Sequence, residues 1–175
     1  MKFLITTICI FSLVGMVVGV AVQGADTAPV SATVTPKNIS VSVSPTSVNY
    51  GILALSTSNA SRTTATSSTF TATNNGNVTE KFDIRGTNAT GDVTWTLNYD
   101  PANTGTVGAN QYVHRYDEGS TFTDGEAKAL STSYLTLKTG VGTGSNAQFV
   151  LEMNMPTGTT GYGEKSSTVT VLATE

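Results

Sequence analysis

The amino-acid sequence predicts an all-β fold, an antiparallel β-sandwich or barrel of about nine short strands. Two observations support this class. Apolar and polar residues alternate along most of the chain beyond residue 36, which is the pattern of strands that bury one face. The intervening segments are rich in Gly and Asn, and only residues 125–130 have weak helical character, over about one turn. Short strands joined by polar turns are typical of sandwiches and barrels.

Nine runs of residues carry the alternation. In chain order they are 39–44, 48–52, 69–73, 78–85, 93–99, 111–115, 133–138, 148–154 and 167–173. Pro45 ends the first run, and Gly51 interrupts the second with a bulge or bend. Asn-Asn-Gly-Asn at 74–77 predicts a hairpin between the third and fourth strands, because Asn and Gly tolerate positive φ. Glu80 falls on the apolar face of the fourth strand, which predicts a place near a strand end or an open edge.

The N-terminus predicts the compartment. Lys2 precedes an uncharged apolar run, 3–22, and small residues surround a cleavage position after Gly24. Residues 1–24 are therefore predicted to be a signal peptide that forms a hydrophobic helix. The run is also long enough to cross a bilayer of about 30 Å, so an uncleaved membrane anchor is the alternative. In both cases we expect the rest of the chain to be secreted or at the cell surface.

Beyond the hydrophobic segment the sequence predicts two regions. Residues 25–36 contain two prolines and few large apolar side chains, which indicates an extended linker or a loosely held first strand. Residues 37–175 are expected to form a single β-sandwich domain, which is long enough to bury its own core. Contact with a membrane is expected only through residues 1–24, and only if they are not removed.

The composition excludes several classes of function. Lys and Arg number 9 against 12 Asp and Glu, so the net charge of -3 gives no basic surface and we expect no nucleic-acid partner. The single cysteine, Cys9, lies in the predicted signal peptide, so the mature chain would have no disulfide. The single histidine, His114, has no second His or Cys to share a metal and no G-x-S-x-G motif to serve. We therefore predict a protein without cofactor or catalytic residues, with His114 structural or partly exposed.

Small polar residues make up much of the chain: Thr, Ser and Asn together are 61 of 175 residues, whereas charged residues are 12%. Thr suits the outward face of a strand, because its β-branched side chain fits the pleat and its hydroxyl stays hydrated. This favours sheets with one solvated face. The clearest such strand is 93–99, whose inward residues are Val93, Trp95, Leu97 and Tyr99.

Two segments support a family resemblance. V-S-P-T-S-V-N-Y-G at 43–51 and F-T-A-T-N-N-G-N at 70–77 resemble the S-P-x-x-[LV]-x-[FY]-G strand and F-x-[VA]-x-N-x-G-x hairpin of Hydin-type bacterial immunoglobulin-like domains. The camelysin/TasA family of secreted, fibre-forming sandwiches is similar in its signal peptide and N-x-G hairpin. The similarity covers residues 43–84. It implies an immunoglobulin-like β-sandwich in a cell-surface or extracellular-matrix structural protein that binds or assembles without catalysis.

An alternating N-terminal segment suggests how such a protein would assemble. Residues 31–35 and 38–44 are extended in pattern. They either pair inside their own domain as a first strand or, freed by signal cleavage, pair with the sheet edge of a neighbouring subunit and build a filament by strand donation. The expected partners are further copies of the chain or other surface proteins.

A glycan-binding module is the alternative function. T-W-T-L at 94–97, followed by Pro101, resembles the distal motif of WxL cell-wall-binding domains, although it lies mid-chain and Trp95 is the only Trp. The resemblance implies binding to cell-wall glycan. The platform would consist of Trp95, Tyr99 and Tyr112, because aromatic faces stack on sugar rings. A buried Trp95 would instead be a core residue of a central strand.

One acidic loop is a candidate calcium site. Residues 117–126 carry Asp117, Glu118, Asp124 and Glu126 between glycines. Carboxylate oxygens are ligands that Ca²⁺ prefers, although the spacing is not that of an EF-hand. A solvated acidic loop without metal is the alternative.

Overall fold

The computed structural model describes residues 28–100 and 107–175. The predicted signal peptide or anchor, residues 1–24, lies outside the described residues. The described residues contain no α-helix. They therefore include no helix that is long and apolar enough to cross a bilayer. The chain divides into two units, of which the second spans Thr35–Glu175.

Ten strands form this unit, in the described part of the chain. They are β1 (Val41–Ser44), β2 (Thr64–Thr66), β3 (Phe70–Asn74), β4 (Glu80–Arg85), β5 (Thr96–Leu97), β6 (Gln111–Glu118), β7 (Lys128–Ala129), β8 (Leu135–Val141), β9 (Asn146–Asn154) and β10 (Thr170–Thr174). In the larger sheet β1, β3, β9, β6 and β5 are neighbours in that order, with β2 on β9 and β7 on β6. The smaller sheet has the order β10, β4, β8. The pairings are antiparallel except for β5 with β6.

The predicted fold class, an all-β sandwich, is confirmed. The core lies between the two sheets, and alternate residues of each strand supply it. The small sheet contributes Phe82 and Ile84, which are fully buried, and the large sheet contributes a stacked pair, Phe70 and Phe149, whose ring centroids lie 5.3 Å apart. Burial of these side chains is the main stabilising term, at about 25 cal/mol per Å² of apolar surface removed from water.

The predicted hairpin at 74–77 is wrong, because this turn carries the chain from one sheet to the other. β3 already pairs with β1 and β9, so β4 cannot pair with it and joins β10 and β8 instead. The Asn74 side chain holds the arch: Nδ2 donates to the Val78 and Val141 carbonyls at 2.8 Å, and Oδ1 accepts from the Gly76 N–H. Gly76 is required there, since a Cβ would lie 2.4 Å from the Asn38 carbonyl oxygen.

Two other predicted strands differ from the structure. The run 48–52 is not a strand. The run 93–99 is reduced to β5, because side-chain acceptors replace ladder partners on both sides: Asp92 accepts from the Val93 N–H and Asn88 from the Leu97 N–H. The helical character at 125–130 is limited to one turn, in which the Ala127 N–H donates to the Thr123 carbonyl at 3.0 Å, and β7 follows at once.

The predicted half-solvated sheet is also wrong for β6, which is buried on both faces from Tyr112 to Asp117. Its inner face joins the core, and its outer face is covered by loops. Arg115 on that outer face lies opposite Glu152 of β9, and its Nε donates to Glu152 Oε1 at 3.0 Å. Glu80 begins β4, as expected for a strand end, yet it is buried and accepts from the Ser40 N–H at 2.8 Å.

Candidate functional site

A groove of about 1250 Å³ opens between the two sheets beside β10. Its floor is the apolar inner face of the large sheet, with Phe70, Phe149 and Leu151 from β3 and β9. Val169 and Val171 line the side that belongs to β10 and the residues before it, and residues 46–55, which we call the strap, line the opposite side. The residues before β10 also bring polar and charged side chains to this wall, among them Glu164 and Lys165. The groove is therefore a slot with an apolar floor and a partly polar rim, which the small sheet leaves uncovered.

The strap lies over the core without belonging to a sheet. Val48, Leu53 and Leu55 are half-buried and pack on the core, whereas Ile52 is fully exposed beside Gly51, whose φ is 71°. Across the described residues, the strap forms no backbone–backbone hydrogen bond. The next such bond along the chain is at Ser56, whose N–H donates to the Pro156 carbonyl at 2.9 Å. Side chains alone hold the strap in place.

One polar contact fixes the strap to the large sheet. A hydrogen bond of 2.9 Å joins the Tyr50 hydroxyl and His114 Nε2, and the hydroxyl donates it when the imidazole proton is on Nδ1. His114 lies in β6 and is buried, and its Nδ1 has no hydrogen-bond partner among the described residues. Burial lowers the pKa of His114 to about 4, and burial is also the main reason that the pKa of Tyr50 is raised above 10. His114 is thus a neutral, structural histidine at neutral pH.

The N-terminal segment is held by hydrogen bonds at Pro36 and Asn38, and the residues before Pro36 are exposed. Asn77 Oδ1 accepts from the Asn38 N–H, and Asn77 Nδ2 donates to the Pro36 carbonyl, both at 2.8 Å. Residues 28–35, which we call the arm, have exposed side chains and form no strand; Val30 is 91% and Val34 is 89% exposed. The later part of the predicted donor segment pairs within its own chain, since β1 forms an antiparallel ladder with β3.

The three aromatic residues of the predicted glycan platform do not form one exposed surface. Trp95 is only 6% exposed, its Nε1 donates to Thr159 Oγ1 at 3.0 Å, and the Lys165 ammonium lies 5.2 Å from its ring centre. Tyr112 is fully buried, and its hydroxyl donates to the Thr87 carbonyl. Only Tyr99, at 48% exposure, presents a surface. Trp95 and Tyr112 contribute to the core instead.

The four acidic residues of the predicted calcium loop are divided among different partners. Asp117 is buried and accepts from the Thr123 N–H at 2.6 Å, Asp124 pairs with Arg115, and Glu118 pairs with Lys128 and Lys138. Glu126 lines a small pocket together with Glu118. No group of three or more acidic, His or Cys side chains in the described residues is arranged to hold a metal ion. Cations pair with two of the four carboxylates, Glu118 and Asp124.

Sequence reasoning missed the groove and the Tyr50–His114 contact, because both depend on residues far apart in the chain. A signal for the strap was available: the run 48–52 alternates like a strand, yet Gly51 interrupts it.

No family model, curated protein or solved structure matches the chain. The resemblances to Hydin-type, camelysin/TasA and WxL domains therefore stay predictions. The site itself is a groove with an apolar floor, whose sides are the strap and the residues around Val169 and Val171.

Proposed function

We propose that this protein is a non-catalytic component of an extracellular surface or matrix assembly, in which the arm of one copy binds in the groove of the next. The proposal rests on the alternation of apolar and polar residues in the exposed arm. Val30, Ala32 and Val34 alternate with Ser31, Thr33 and Thr35, so that in an extended conformation the three apolar side chains lie on one face. The extracellular location rests on the predicted signal peptide.

The groove has the properties of a strand acceptor. Within the described residues β10 pairs only with β4. β1 also lies close to β10, and Lys37 pairs with Glu175 just past its last residue, so the edge that faces the groove is limited to Val171 and the residues before it. Strand addition at an open edge supplies main-chain hydrogen bonds, and pockets below it take alternate side chains. Residues 30–35 would span about 20 Å at about 3.3 Å per residue, enough to run alongside the groove-lining residues from Ser166 to Val171.

Size also favours a chain segment over a small molecule. The groove, at about 1250 Å³, exceeds the roughly 300–1,000 Å³ of typical small-molecule pockets. The arm, A-P-V-S-A-T-V-T at 28–35, is uncharged, and its partner surface on the floor of the groove is apolar. Burial of the valines would need no ion pair to offset a desolvation cost.

The arm and the groove belong to different segments of the chain, which favours an open filament. The arm precedes Pro36 and β1 in the chain, whereas the lining of the groove starts at Val43, near the C-terminal end of β1. Such a contact joins different surfaces of the two copies. Head-to-tail contacts of this kind extend into filaments when the rotation does not close a ring.

The experiment compares two double variants of the chain expressed from Ala25. Val30→Asp with Val34→Asp places charges on the apolar face of the arm, and Ser31→Asp with Thr33→Asp places the same charges on the polar face as the matched control. Light scattering and negative-stain electron microscopy should show multimers for the wild type and the control and monomers for the valine variant. A monomeric wild type, or equal assembly of both variants, would contradict the proposal.

The alternative, a cell-wall glycan module, has less support, because Trp95 and Tyr112 are buried. Pull-down on purified wall glycan tests it directly, with Tyr99→Ala as the variant of the one exposed ring.

A further inference from the structure

We infer that the strap is the second wall of the strand acceptor: a donated arm lies between β10 and the strap and forms backbone hydrogen bonds with both. This inference rests on the proposed function and deepens it by naming the second edge. The small sheet would then grow from three strands to five, in the order strap, arm, β10, β4, β8.

The first support is that the backbone of the strap bonds side chains only: the Gly51 N–H donates to Asn49 Oδ1, and the Leu55 carbonyl accepts from Thr63 Oγ1. Between Ser44 and Ser56 the described chain forms no backbone–backbone hydrogen bond, although Val48 and Tyr50 turn inward with the spacing of a strand. Exposed, unpaired backbone groups are a template for pairing with another chain. The strap and the residues around β10 line the same groove, so one inserted strand can meet both.

The second support is that the side chains of the strap hold it on the core, so a donated arm would bind beside the strap and not replace it. Val48, Leu53 and Leu55 pack on the core, and Tyr50 bonds the buried His114. Displacing the strap would expose these side chains and leave the His114 ring without its hydrogen-bond partner, which is costly for a buried polar group. Insertion of the arm beside the strap preserves the core packing and the Tyr50–His114 hydrogen bond. Tyr50 is accordingly a positioning residue that sets where the strap backbone lies.

The third support is the exposed apolar rim. Ile52 of the strap is fully exposed and Tyr162 on the other side is 83% exposed, and both line the groove. Large apolar side chains at the mouth of an apolar slot are typical of an interaction site.

Hydrogen exchange tests the inference on the assembled wild type and on the monomeric Val30→Asp, Val34→Asp variant. Amides of residues 47–50 should exchange rapidly in the monomer and become protected in the assembly, together with those of β10. Protection at β10 alone, with a strap that stays rapid, would overturn the inference and leave the proposed function standing. If the wild type does not assemble, the proposed function fails and this inference with it.

A substitution distinguishes insertion from displacement by the sign of its effect. Tyr50→Phe removes only the hydroxyl and loosens the strap, and should raise the concentration for half-assembly about fivefold, the change that one neutral hydrogen bond supports. Tyr99→Phe makes the same chemical change outside the groove and should have no effect. If Tyr50→Phe instead promotes assembly, the strap is a plug that the arm displaces, and the inference is wrong.

Discussion

Protonation of His114 should destabilise the fold in a defined range of pH. The imidazole is buried and neutral, Tyr50 is its one hydrogen-bond partner within the described part of the chain, and its pKa is about 4 in the folded chain against 6.5 for an ordinary histidine. Between these two pH values the imidazole is protonated in the unfolded chain and neutral in the folded chain. Its contribution to the free energy of unfolding is fully present above pH 6.5 and is lost as the pH falls towards 4, with a total loss of about 3 kcal/mol.

Urea denaturation between pH 7 and pH 4.5 measures this loss, with His114→Gln as the control. Carboxylates contribute to the pH dependence of both proteins, so the difference between the two curves isolates the imidazole. The slope should approach about 1.4 kcal/mol per pH unit near pH 5. Because the chain has one histidine, NMR titration of its single imidazole signal is independent of how the variant folds. A folded-state pKa near 6.5 would refute the reasoning.

Three further outcomes are expected. Glu152→Gln removes the carboxylate that faces the buried Arg115 and should lower the free energy of unfolding by about 3 kcal/mol, whereas the double variant Arg115→Met, Glu152→Met should recover most of the loss in urea titrations. Phe149→Ala opens a cavity beside Phe70 and should cost about 3–5 kcal/mol by the same assay; a loss below 1 kcal/mol would contradict the packing. Trp95 is buried, so its fluorescence should be blue-shifted and resist iodide until the chain unfolds.

Local alternation made the strands of the core predictable. β3 and β9 lie within two residues of the runs 69–73 and 148–154, because a period of two fixes which side chains share a face. The same signal failed at 48–52. A strand also needs a hydrogen-bonding neighbour, and the strap has none in the described chain.

The candidate site was only partly predictable. The sequence predicts residues 31–35 and 38–44 as either a donor segment or a first strand, and in the structure β1, within the later part, pairs with β3 of its own chain. The groove was not foreseen. Its floor comes from β3 and β9 and its walls from residues 46–55 and 159–171, and no local pattern specifies where a small sheet leaves a large one uncovered.

The fold class and the apolar face of the arm follow from the order of neighbouring residues, and the low charge follows from composition alone. The tertiary structure decided which residues are available for function. Lys165 lies over Trp95, Arg115 neutralises Asp124, and Tyr50 contacts His114. Burial, ion pairing and pKa depend on neighbours in space, and here those neighbours are mostly distant in the chain. The tertiary structure therefore moved Trp95 to the core and placed the open groove beside β10.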